Sequence, residues 1–200
     1  MFVSEHQFLT LSFLFDFFTF FSLLQAVVIN SFSKFFSMTG WRLGWVVLPE
    51  GQLCSAVERL AQNMQICAPS LSQVAGIAAL DAGDEVEANR ARYEVNRARL
   101  LDAVASAGLS GGCAPADGAF YVYCDVRRVT KDSVELAGRL LRETGVATTP
   151  GVDFDPENGH HFLRLTYCGE YEQVSEAADR LVKFFKREQR RVDTQADTIS

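Results

Sequence analysis

The chain has no excess of positive charge. Its 19 Lys and Arg stand against 25 Asp and Glu, for a net charge of -6, which argues against a nucleic-acid partner. The single basic cluster, KREQRR at Lys186 to Arg191, is expected to be a solvated, dipole-compatible helix end. Cysteine is present without pattern. Cys54, Cys67, Cys113, Cys124 and Cys168 are odd in number and widely spaced, with no C-x-x-C pair and no Cys/His cluster at metal-ligand spacing, so no metal site is expected. We read them as reduced packing residues in a reducing compartment, which points to the cytoplasm. Cys168 lies nearest in sequence to a candidate site residue but lacks an evident activating base, since His160 and His161 are near in sequence only. Long apolar runs are also scarce. Phe8 to Leu24 is shorter than the ~20 residues a bilayer needs and carries Asp16. The residues before it hold Glu5 and His6 but no Lys or Arg, and SLLQ is not a small-residue cleavage site, so a secretory signal is poorly supported too.

What is present is the composition of a soluble globular chain with a real core: 48% apolar and 22% charged residues over 200 positions, room for one domain or two small ones. Residues 1–25 differ from the rest, because half of the sixteen phenylalanines fall within the first 21 positions. Three readings stay open for this stretch. It is a translated intron end, since Leu24-Gln25 can be encoded as CTGCAG ahead of a true exon at Ala26; or a hydrophobic membrane-associating or targeting leader; or a buried segment.

From Ala26 the pattern is regular. AVVINSF predicts a buried strand and WVVLP (Trp45 to Pro49) a second one ended by its proline. A helix is predicted from Gln52 to about Ile66, broken at Ala68-Pro69-Ser70; Ser70 or Ser72 would cap the next, which ends near Gly83. Asp84 with Glu87 resembles an acidic capping box and opens a long polar helix to about Gly108. GAFYVYCDV (Gly118 to Val126) reads as a strand, Ser133 to Thr144 as a helix stopped by Gly145, and VATTPG as a short strand. HFLRLTYC (His161 to Cys168) is the next strand and Glu170 to Gln189 the closing helix, with residues 190–200 as a frayed tail.

Two groups of residues carry chemistry. The first is SFSKFFSMTGWRLGW, Ser31 to Trp45, which sets Lys34 between serines and the run Gly40, Arg42, Gly44 after a strand. A lysine amine beside hydroxyls and a guanidinium suits a ligand carrying both an aldehyde and a phosphate, and pyridoxal phosphate is such a cofactor. Lys34 must then shed a proton near neutral pH, and burial beside the Arg42 cation would favour that. Gly40 and Gly44 flank Arg42 and permit close approach of the backbone to such a cofactor or tight turning. The second is Arg164, which period two places with Phe162 and Thr166 opposite the apolar face of residues 163, 165 and 167. A lone arginine in an apolar strand needs a partner, and a carboxylate held bidentately is the natural one. The plainer alternatives are an exposed loop lysine, serines that only form a turn, and an arginine in a structural salt bridge.

The first stretch resembles the lysine motif of class I/II aminotransferases, fold-type I pyridoxal-phosphate enzymes, in which Ser-x-Ser-Lys is followed after five residues by Gly-x-Arg-x-Gly. Ser31, Ser33, Lys34, Gly40, Arg42 and Gly44 match it. Pro115 with Gly118-Ala119-Phe120-Tyr121 resembles the family's PxGAFY strand, and Pro150-Gly151 with Phe154 its PGxxF turn; Asp155 departs from the glycine often found next. The resemblance covers about Ala26 to Phe185, the C-terminal portion of such an enzyme. It implies an α/β fold: a remnant of the large cofactor domain over 26–95, an α+β small domain over 96–188 and a tail over 189–200, preceded by the unrelated 1–25. It also implies that Lys34 binds pyridoxal phosphate and moves the substrate α-proton, that Ser31, Ser33 and Arg42 hold the phosphate, and that Arg164 takes the substrate α-carboxylate.

The implied reaction moves an amino group from an amino acid to a 2-oxo acid, in a homodimer. A lyase or synthase of the same superfamily, or a non-catalytic or dimerising remnant, are the alternatives. The family's aspartate at the pyridine nitrogen, its tyrosine and asparagine at the ring and its stacking aromatic all precede the lysine motif. The preceding 33 residues hold no counterpart, so activity of the chain as written is not expected to follow from ancestry alone.

Overall fold

The computed structural model describes residues 26–199. The phenylalanine-rich stretch 1–25, with every reading of it, lies outside the described residues. The chain divides into two compact units, one reaching to Ala88 and the other starting at Asn89.

In the first unit, β1 (Val28–Ser31) pairs antiparallel with β2 (Gly44–Val47), in a register that sets Ser31 opposite Gly44 and Asn30 opposite Trp45. Gly44 is required there. A Cβ at that position would lie 2.7 Å from the Asn30 carbonyl oxygen, well inside contact distance. Gly40, by contrast, has open space around it. The two strands return on each other through the loop 32–43, whose N–H groups close on its own carbonyls: Phe32 donates to Leu43 at 3.0 Å, Met38 to Phe32 at 3.2 Å and Ser37 to Lys34 at 3.1 Å.

Burial explains why the loop holds a shape. Phe32 and Met38 are its buried residues, and the Phe32 ring meets Phe36 and Trp45 at centroid distances of 4.8 and 5.1 Å. Helix α1 (Gln52–Met64) follows, then α2 (Ser70–Leu80). The buried residues of α2 are Ser72 and Gly76, one turn apart on one face. Against that small face the loop sits: a Cβ on Gly76 would meet Leu43 Cδ2 at 2.4 Å, and Ser72 Oγ donates to the Trp41 carbonyl at 2.6 Å. This corrects the expectation that Ser70 or Ser72 caps α2. The N-cap is Pro69, without a side-chain cap bond, and the Ser72 hydroxyl is spent on the loop. A second correction concerns β1, which is not buried. Ile29 is 81% exposed, because β1 has only β2 beside it and nothing among the described residues covers the remaining apolar surface.

Helix α3 (Gly83–Ser106) begins before the division and ends after it. In the second unit β3 (Tyr121–Asp125), β5 (Phe162–Thr166) and β4 (Thr149–Pro150) form an antiparallel sheet in the order β3-β5-β4. Val122 and Cys124 of β3 and Leu163 and Leu165 of β5 share one core with Leu100 and Val104 of α3, Leu136 and Leu140 of α4 (Ser133–Thr144), and Leu181, Phe184 and Phe185 of α5 (Tyr171–Ile199). The ends of α4 follow local chemistry: Asp132 accepts from the N–H groups of Val134 and Glu135, and Gly145, at φ 71°, takes the left-handed conformation that stops the helix.

Helix α5 does not end at Gln189, as expected, but runs to Ile199. The basic cluster therefore lies within the helix and not at its end, with Lys186, Arg187, Arg190 and Arg191 exposed as expected. No Gly or Pro interrupts residues 190–199, and the buried Glu188 draws in Arg139, Arg187 and Arg191 at 2.7, 3.2 and 3.1 Å. No helix of the described residues is long and apolar enough to cross a membrane.

The joint between α3 and the sheet is polar. Asn96, fully buried, donates through Nδ2 to the carbonyls of Tyr167 at 3.0 Å and Gly169 at 2.9 Å, fixing the chain as it leaves β5.

Two outcomes follow. Asn96→Ala leaves two carbonyls without their donor and should lower the unfolding free energy of the full chain by about 2–3 kcal/mol, read from denaturant midpoints. Ser72→Ala removes the hydrogen bond that ties α2 to the Trp41 carbonyl of the loop; amide exchange at Phe32 and Met38 should speed by about fivefold, the equivalent of roughly 1 kcal/mol.

Candidate active site

The loop after β1 gathers the first group of predicted residues. Ser31 Oγ and Ser33 Oγ are 2.9 Å apart, and Ser31 Oγ also accepts from the Ser33 N–H at 3.0 Å. Those contacts form a serine turn that points two hydroxyls the same way at the end of β1. Lys34 follows directly and is exposed. The burial expected to ease its deprotonation is not supplied by this unit, because the apolar residues of the loop that turn inward are Phe32 and Met38, on either side of it.

Arg42 is brought back towards the serines by strand pairing. Its neighbour Leu43 accepts from the Phe32 N–H and, at 3.4 Å, from Ser31 Oγ. Arg42 itself adopts φ 51° and ψ 52°, a left-handed conformation that costs a non-glycine residue on the order of 1 kcal/mol. Its Nη1 donates to the Thr39 carbonyl at 2.9 Å, which leaves the other guanidinium donors uncommitted among the described residues. The donor set is thus two hydroxyls and a planar cation on one exposed loop, with a lysine amine beside them and no carboxylate between Ser31 and Trp45. Such a set fits a phosphate and an aldehyde carried on one molecule. Among the described residues no group of His, Cys, Asp and Glu is arranged to hold a metal ion.

The second group lies in the other unit. Alternation along β5 is as expected: Leu163, Leu165 and Tyr167 are buried, and Arg164 faces the opposite side. Its guanidinium carbon is 4.2 Å from the centroid of the Tyr121 ring and 4.4 Å from that of Phe154, so two rings flank the cation. Strand register places Thr149 opposite Arg164, and Arg164 Nη2 donates to Thr149 Oγ1 at 3.3 Å. Five arginines of this unit are half-buried: Arg92, Arg97, Arg99, Arg139 and Arg164. The first four have a carboxylate, on Glu170, Asp117, Asp179 and Glu188 respectively. Arg164 has none among the described residues, so the structural salt bridge is not its role there.

The segments that resembled PxGAFY and PGxxF supply the two rings. Ala119, at φ 56°, is held by the Tyr167 hydroxyl, which donates to its carbonyl at 3.1 Å and turns the chain into β3 so that Tyr121 reaches Arg164. Phe154 is set by two glycines in close contact: a Cβ on Gly159 would lie 2.3 Å from the Gly151 carbonyl carbon, and one on Gly151 would lie 2.5 Å from the Gly159 oxygen. Asp155 closes the same turn, accepting from the N–H groups of Glu157 and Asn158 at 3.0 Å each, and these bonds, that from Asn158 foremost, hold its carboxyl below the usual carboxylate range. The departure at Asp155 is therefore accommodated as a turn-former. Sequence reasoning missed Thr149 and Ser72. Thr149 is visible only through strand register, and Ser72 only through the packing of α2 on the loop.

Comparison with known proteins gives the family and the fold. The family model "Aminotransferase class I and II" matches residues 14–181. A valine–pyruvate aminotransferase of Mycobacterium tuberculosis is 46% identical over 159 residues, 78% of this chain and 40% of that protein. A (5-formylfuran-3-yl)methyl phosphate transaminase of Methanocaldococcus jannaschii is 33% identical over 166 residues, 83% of this chain and 44% of that protein. Among solved structures, an aminotransferase from Mycobacterium tuberculosis superposes with a TM-score of 0.77 at 44% identity, covering 81% of this chain and 42% of that one. The mixed α/β fold is that of fold-type I aminotransferases, and the chain spans roughly two fifths of the length of the relatives it matches. A lysine loop and an arginine strand in the expected elements, and a family match over most of the sequence, lead to one conclusion: the chain belongs to the class I and II aminotransferase family.

Proposed function

We propose that the chain provides the cofactor-anchoring and carboxylate-binding part of a pyridoxal-phosphate-dependent aminotransferase, which moves an amino group from an amino acid to a 2-oxo acid. The observation that supports this reading is the loop 31–43, closed on itself by backbone hydrogen bonds and carrying in one short stretch a lysine, two paired hydroxyls and a guanidinium. In this reading Ser31, Ser33 and Arg42 hold the phosphate, Arg42 through its planar fork. Lys34 Nζ anchors the cofactor and, once displaced by substrate, takes the α-proton. When bound, the cofactor supplies the electron sink for the carbanion left behind.

Arg164 receives the substrate carboxylate. Flanking rings and the Thr149 hydroxyl fix the guanidinium plane without neutralising it, so its fork remains for a bidentate partner. The 46% identical relative directs the first substrate pair to valine and pyruvate. A second reading, a non-catalytic remnant of such an enzyme, draws on the exposure of Lys34 and of apolar residues such as Ile29, Met64 and Ile66.

Titration of the purified full chain with pyridoxal phosphate separates the two. Saturable visible absorbance, fixed by borohydride to the Lys34 peptide and lost in Lys34→Ala, is the expected result; a band unchanged in Lys34→Ala, or none, sinks the cofactor reading. For Arg164→Lys, which keeps the charge but loses the fork, affinity for L-valine measured by calorimetry should fall about tenfold to a hundredfold, with cofactor uptake unchanged. Equal affinity in the variant would remove Arg164 from the proposed role.

A further inference from the structure

Of the five cysteines, two are neighbours. Cys113, just after the turn Ser110–Gly112, forms an isolated antiparallel bridge with Cys124 of β3, and the two sulfurs lie 2.8 Å apart in a hydrogen bond. Residues directly opposite in an antiparallel pair have Cα atoms about 4.5–5.5 Å apart, inside the ~4.4–6.8 Å window that a disulfide spans. Gly112 makes the approach possible, since a Cβ there would lie 2.4 Å from Asp125 Cβ. The Ala114 N–H donates to the Tyr123 carbonyl at 3.2 Å and holds the bridge in register. The pair is also unequal. Cys124 is fully buried in the core, whereas Cys113 is half-buried and its thiol lies 3.3 Å from the Leu109 carbonyl.

The geometry points to a reversible dithiol–disulfide site at Cys113 and Cys124, which reacts with low-molecular-weight disulfides by thiol exchange. Cys113, the accessible partner, attacks one sulfur of the small disulfide, forming a mixed disulfide and releasing one thiolate. The Cys124 sulfur then attacks Cys113 Sγ, its proton passes to the departing second thiolate, and the Cys113–Cys124 bond closes. Overall the two protein thiols are oxidised by two electrons, and one small disulfide is reduced to two thiols. The hydrogen bond to Cys124 favours the Cys113 thiolate, against the opposing effects of its own burial and the nearby Asp125, while the same bond and burial push Cys124 up. That asymmetry suits an attacking and a resolving thiol. The remaining cysteines lack this arrangement: the exposed Cys168 contacts Thr166 Oγ1 at 3.0 Å, and Cys54 and Cys67 have no sulfur neighbour among the described residues.

The site bears on the carboxylate pocket through β3. The bond would join positions eleven apart in sequence, enclosing the turn that leads into Tyr121, the ring lying on Arg164.

The test incubates the full chain in glutathione buffers of increasing oxidised fraction, quenches with acid, alkylates the free thiols under denaturing conditions, and maps the peptides by mass spectrometry. The expected product is a single Cys113–Cys124 cross-linked peptide, reversed by dithiothreitol; Cys124→Ser should stop at a glutathione adduct on Cys113. Recovery of both cysteines alkylated from wild-type protein whose exposed Cys67 or Cys168 has been oxidised would overturn the proposal, as would a persistent glutathione adduct on wild-type Cys113. The wild-type map decides the matter even if the variant does not fold.

Discussion

The pairing of β5 on both of its edges is the constraint from which the second unit follows. With β3 on one side and β4 on the other, the strand cannot slip by one residue without turning Leu163 and Leu165 out of the core and Arg164 into it. Desolvating an unpaired guanidinium would cost several kcal/mol, and exposing two leucines would cost about 2 kcal/mol each. The register is therefore enforced from both faces. Once it is set, the residues around Arg164 are placed by neighbours: Tyr123 stands directly opposite Arg164, Tyr121 two residues along on the same face, and Thr149 on the other edge.

The first unit solves a different problem with fewer resources. It must hold a polar loop in one conformation without a large core beneath it. Strand pairing fixes the ends, and Phe32 and Met38 anchor the middle. The small face of Ser72 and Gly76 then lets the loop approach α2 closely enough for one hydroxyl to satisfy the Trp41 carbonyl. The left-handed backbone at Arg42 is a cost this arrangement can bear, because the hydrogen bonds on both sides of it leave the chain few alternatives.

Much of this was legible in the sequence wherever the deciding interaction is local. Period two along residues 161–168 gives the facing of Arg164, and the Ser133–Thr144 helix is delimited by its glycine stop. The lysine loop follows from the order of its residues. What stayed hidden depends on partners far along the chain. Ser72 looks like a cap until α2 is seen against a loop 31 residues earlier. Cys113 and Cys124 read as scattered packing residues until a bridge sets them opposite each other. The extension of α5 to Ile199 was obscured by its polarity, which suggested a tail, whereas the helix runs on through it with Arg191 pairing back to Glu188.

That comparison between arginines also argues for where an external carboxylate belongs. Around Glu188, three guanidiniums share one buried carboxylate, and Arg187 also pairs with Glu143. An added anion there would compete with side chains already in place, so the cluster rich in positive charge is a poor receptor. Arg164 presents the opposite case: one guanidinium, half withdrawn from water, with its plane set by two aromatic faces and its charge unanswered among the described residues. Rings attract a cation without neutralising it, and a threonine hydroxyl uses a single donor. A ligand carboxylate meeting Arg164 therefore gains a charge-assisted, two-pronged contact with no resident anion to displace. It is the absence of an internal partner, more than the presence of positive charge, that distinguishes a receptor from a structural ion pair.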